Sequence, residues 1–115
     1  MFAFGATMLF APGVAADGFK VEQTPVTLMM MRGVGEAILA MGVANLLVRN
    51  EDDSNALKAI LALNIVYHFL GLINNAYTAV SQLLTVVDMI PGITVHLFIG
   101  LGSGYYLLQM QRRLD

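Results

Sequence analysis

The chain has no cysteine and no tryptophan, and only 12% of its 115 residues are charged. Without cysteine there is no disulfide, no thiolate metal site and no cysteine nucleophile, and the redox compartment stays open. Six Lys and Arg residues with no clustered basic stripe, and a formal net charge of −2, argue against a nucleic-acid partner. No nucleophile stands with a base and no metal motif is present, so an enzyme is not expected.

What the chain does have is apolar surface. Hydrophobic residues make up 57% of it, and its mean hydropathy is +0.71. So short a chain has little interior in which to hide that surface from water, whereas lipid accepts it on every outward helix face. The expectation is an all-α polytopic membrane protein: a four-helix transmembrane bundle with a short first helix, forming a single domain over residues 1–115. The helices are placed at about 1–16, 25–48, 55–80 and 91–111.

The first segment, Met1 to Ala16, reads either as a signal peptide without a basic start or as a retained helix. Sixteen residues rise only about 24 Å, short of a hydrocarbon core of about 30 Å. The helix is therefore expected to be short or tilted, or to lack its beginning, and to end near Pro12 and Gly13.

Thr24 and Pro25 open the second helix as a cap followed by a first-turn proline. On a helical wheel Arg32 and Glu36 share one face. Gly33, Ala37, Ala40 and Ala44 flank it on one side, and Gly35 and Gly42 on the other. Met30, Val34, Ile38 and Met41 fall opposite, where lipid is expected. Small residues allow close helix approach in membranes, so two packing seams border the charged face.

The polar turn from Arg49 to Asn55 returns the chain to water, and Asp53 or Ser54 caps the third helix. Asn64, His68, Gly71, Asn75, Thr78 and Gln82 form one narrow polar stripe along it, turned toward protein or a cavity. Leu83 to Ile90 is expected to run along the interface. The last helix, opened by Pro91 and Gly92, carries His96, Gly100, Ser103 and Gly104 on one side, and Gly100 and Gly104 have the spacing of close membrane packing. Tyr105 and Tyr106 followed by Arg112 and Arg113 mark a membrane boundary. Arg49, Lys58, Arg112 and Arg113 lie on one side against Lys20 on the other. The positive-inside rule then puts both termini on the cytoplasmic, stromal or matrix side.

Comparing depths along the helices suggests a central layer of Glu36 and His68 and an outer one of Arg32, Asn75 and His96. Two readings stand for this cluster. It neutralises itself and supplies hydrogen bonds that lipid cannot, or it lines a pocket, proton path or ligand site. Either His68 or His96 is also a conceivable axial ligand to haem or chlorophyll, although no cofactor is required. The eight methionines read as flexible packing rather than metal ligands.

One resemblance rests on Phe10-Ala11-Pro12 closing a short first helix, a polar loop, and then Arg32-x-x-Gly35-x-x-x-Leu39-x-x-Gly42, with His96 in the last helix. This pattern resembles the DoxX-like group of small four-helix membrane proteins. The resemblance implies a membrane bundle and, for some members, the company of quinone-linked oxidoreductases. It carries over no catalytic residue.

The leading functional expectation is a non-enzymatic accessory or structural subunit of a larger membrane complex, of respiratory or photosynthetic type, with lipid and other membrane subunits or itself as partners. The alternative is a binding or transport protein holding a quinone, pigment or small polar solute in an intramembrane polar pocket.

Overall fold

The computed structural model describes residues 1–82 and 84–112. Leu83, where the interfacial stretch was expected to begin, and Arg113, counted among the boundary charges, lie outside the described residues. Five helices make up the described chain: α1 (Phe2–Phe10), α2 (Pro12–Gly18), α3 (Pro25–Leu47), α4 (Asn55–Val80) and α5 (Val86–Arg112). They cluster into two compact units, one from Met1 to Arg49 and one beginning at Asn50.

In the first unit, the segment expected as one short helix is two. Pro12 disfavours helical backbone at the residue before it, and Ala11 accordingly sits at φ −131°, ψ 56°. The chain then restarts with Pro12 in the first turn of α2, where its missing N–H is no loss. At nine residues, α1 rises about 14 Å, less than half the thickness of a hydrocarbon core.

α1 lies along α3 at two glycines. A Cβ on Gly35 would stand 2.7 Å from the Leu9 backbone nitrogen and 2.8 Å from the Gly5 carbonyl oxygen. Only bare glycine permits that approach. Gly42 faces the ring of Phe2, which a Cβ would meet at 3.2 Å. Met8, Ala15 and Ile38 form the buried core, with Met31 beside it. Ile38 and Met41 are therefore buried, not turned to lipid as the wheel suggested. Ile38 lies three residues after Gly35 and four before Gly42, on the stripe over which α1 docks, and Met41 lies one turn beyond Ile38. Met30 and Val34 do remain exposed.

α3 starts where its sequence signals a start: the Thr27 N–H donates to the Thr24 side-chain oxygen at 3.1 Å. Ser54 caps α4 in the same way, accepting from the Leu57 N–H at 3.1 Å. α5 begins at Val86, earlier than the expected 91, and contains Pro91. Its start is stabilised by Thr85, whose hydroxyl donates to Asp88 Oδ2 at 2.6 Å and accepts from the Asp88 N–H at 3.3 Å.

The second unit is a hairpin of α4 and α5. Asn75 stands by Gly92, Gly71 by His96, and His68 by Gly100, an order that runs oppositely along the two helices and makes them antiparallel.

α3, α4 and α5, at 23, 26 and 27 residues, are long and apolar enough to cross a membrane, with mean hydropathies of 1.4, 1.8 and 1.5. Several polar side chains on the helices hydrogen-bond to their own backbone four residues earlier: Thr7 to Ala3, Asn45 to Met41, Asn75 to Gly71, Thr78 to Asn74 and Thr94 to Ile90. Such bonds satisfy a hydroxyl or amide where no water is at hand. Asn45 turns back onto its own helix in this way.

Candidate functional site: a histidine pair between two helices

The polar stripe of α4 meets α5. Asn64, His68 and Ser103 are the buried polar side chains among the described residues, and all belong to this hairpin. His68 is 2% exposed. Its Nδ1 lies 2.9 Å from Nδ1 of His96, a hydrogen bond in which one ring donates and the other accepts.

Glycine makes the pairing sterically feasible. The His96 ring lies so close to α4 that a Cβ on Gly71 would overlap its Cε1 and fall 2.5 Å from its Nδ1. Gly100 serves the opposite side, where a Cβ would come within 3.3 Å of His68 Cβ. Tyr67 edges both rings, its centroid 5.2 Å from that of His68 and 6.3 Å from that of His96.

The second nitrogen of His68, Nε2, is buried and has no hydrogen-bond partner among the described residues. Buried ring nitrogens are ordinarily satisfied, so this one calls for a chemical account. It also bears on metal ligation: Nδ1 is engaged with His96 and Nε2 is enclosed, so His68 as placed offers no open nitrogen to a haem or chlorophyll metal. Among the described residues no group of three or more His, Asp or Glu could hold a metal ion. His96 is half-buried, and with Ile65, Phe69, Leu72 and Leu97 it lines an open apolar groove of about 140 Å³.

Asn75 donates to the Gly71 carbonyl at 2.8 Å, on its own helix. Arg32 and Glu36 belong to the other unit, where both are exposed. No ion pair joins them among the described residues. Of the glycines, Gly35, Gly42, Gly71 and Gly100 stand at close approaches, while a Cβ on Gly33 or Gly104 would meet nothing within 4 Å.

The sequence-derived layers separated His68 from His96, whereas the structure pairs them. The reason is the early start of α5: counted from Val86 rather than Pro91, His96 lies about 15 Å along its helix, not about 8 Å. Gly5 and Tyr67 were not foreseen. Tyr67 adjoins His68 in sequence, but nothing in its spacing marks it. Comparison of the chain with protein-family models, with curated proteins and with solved structures returns no match.

Proposed function

We propose that this chain is a small integral membrane protein acting as a non-enzymatic subunit of a larger membrane assembly, its spans arranged as a four-helix bundle whose short first segment is the broken α1–α2 pair. In this reading it resembles the DoxX-like group, and its termini lie on the cytoplasmic, stromal or matrix side, as the basic residues Arg49, Lys58, Arg112 and Arg113 suggest.

One observation carries the reading. Arg32 and Glu36 project from the middle of an apolar 23-residue helix, on a face that neither α1 nor α2 covers. Charged side chains at that depth of a bilayer are costly and are found facing protein or water-filled space rather than lipid. Beside them Gly33, Ala37 and Ala40 are also exposed, a small-residue seam suited to another helix. A partner subunit laid along this seam answers both needs: polar groups for Arg32 and Glu36, and close packing on Gly33 and Ala37.

Because the chain has no cysteine, cysteines placed singly at Gly33 and Ala37 give an unambiguous test. In native membranes, a short bifunctional thiol-to-amine reagent is expected to join each to a second polypeptide. Cross-links confined to the chain itself would overturn the reading.

A further inference from the structure

We propose that His68 and His96 form one proton-binding site inside the α4–α5 hairpin, and that gain of a proton by the pair rearranges the contact between the two helices. The proposal concerns the second unit alone and is independent of any assembly made through α3.

Two neutral imidazoles carry two protons on four nitrogens, and one of these lies in the 2.9 Å contact between the Nδ1 atoms. If His68 donates it, His68 Nε2 is a bare lone pair and His96 carries the pair's other proton, its own single ring proton, on Nε2. If His96 donates, His68 must carry an N–H at Nε2, where nothing accepts it. Orphaned buried N–H groups are rarer than under-satisfied acceptors, so the first arrangement is the resting one. The neutral pair thus fits the hairpin as built.

A third proton changes this. With one proton held between the Nδ1 atoms, the other two occupy both Nε2 positions, whichever ring is the donor. His68 Nε2 then becomes an N–H donor inside the hairpin with no acceptor in reach. A fourth proton would set two Nδ1–H groups against each other across the same contact. Either way the His68 ring must leave its place to find an acceptor, and its place is set by Gly100 on one side and the His96 ring on the other.

Among the described residues, Tyr67 on α4 is the one other titratable group whose ring contacts the pair. On α5 the nearest titratable residues in sequence, Asp88 and Tyr105, lie roughly 12–14 Å from His96 along the axis. His96, half-buried, is the more accessible member of the pair, and the effect of the added proton falls on His68, the buried one.

The test uses the unmodified full chain, which contains only two histidines. Protein labelled with ¹⁵N in its histidine rings is reconstituted in lipid nanodiscs and followed by NMR from pH 8 to pH 5, across the ordinary imidazole value of about 6.5. At pH 8 the expected result is a scalar coupling between the two Nδ1 nuclei through their shared hydrogen bond. On acidification both rings are expected to change in one step, with the coupling lost in that same step. Absence of the coupling at pH 8, independent titration of the two rings, or a coupling that survives protonation would each overturn the proposal.

Discussion

His96 lies against Gly71 so closely that its 2.9 Å hydrogen bond to His68 depends on the missing side chain. A methyl group at position 71 would occupy the space of the His96 ring, which is free to swing only by giving up that bond. Gly71→Ala is therefore expected to destabilise the α4–α5 hairpin by about 1–3 kcal/mol, the usual cost of stranding buried polar groups. In a His96→Ala background the same change is expected to cost little, because the obstructing ring is gone. Unfolding titrations in detergent on the four proteins of this cycle measure the difference.

Removing one histidine is expected to be worse than removing both. His96→Leu leaves His68 with two buried nitrogens and no partner, a loss of about 1–3 kcal/mol. Adding His68→Phe to that variant removes the stranded groups and is expected to restore part of the stability. A double variant less stable than the single one would show that His68 is satisfied by something other than His96.

Two glycines two residues apart on α3 are expected to behave oppositely. The Cβ of Gly35→Ala would meet backbone atoms of α1 at 2.7 and 2.8 Å, and backbone cannot turn aside. Overpacking of this kind costs about 1–3 kcal/mol. Gly33→Ala meets nothing, and alanine favours helix over glycine by about 1 kcal/mol, so thermal stability in detergent is expected to hold or rise. Gly33→Leu is expected to leave the isolated chain equally stable while reducing its recovery with a partner.

Much of the fold was legible where the signal was local. Thr24 and Ser54 announced α3 and α4 because a cap is settled by residues three apart, and Pro12 marked the break after α1. The start of α5 was legible too, in Thr85 followed three residues later by Asp88, a variant of the capping-box pattern that the more conspicuous Pro91 overshadowed. Pro91, the sixth residue of α5, forgoes the bond its N–H would make to the Val87 carbonyl, yet the helix runs on through it.

What the sequence concealed was partnership. A wheel ranks the faces of α3 by chemistry, and the charged face looked like the inner one. The face that α1 covers was instead chosen by shape, at Gly35 and Gly42, and it took Ile38 and Met41 with it. In a membrane, apolar character does not separate inside from outside, because lipid is as apolar as a core. The histidine stripe of α4 was legible for the complementary reason: polar residues in an apolar helix can be satisfied only by protein.

In the proposed assembly Arg32 and Glu36 have their partners outside the α1–α3 unit, in another subunit. The mass of the native particle tests this most directly. Extracted from its own membrane into lipid nanodiscs, the 12.4 kDa chain is expected to appear with a second polypeptide in fixed ratio. An Arg32→Met, Glu36→Leu double variant is expected to insert and fold but to appear alone. A wild-type particle that holds no second polypeptide, indistinguishable in mass from that of the double variant, would contradict the account.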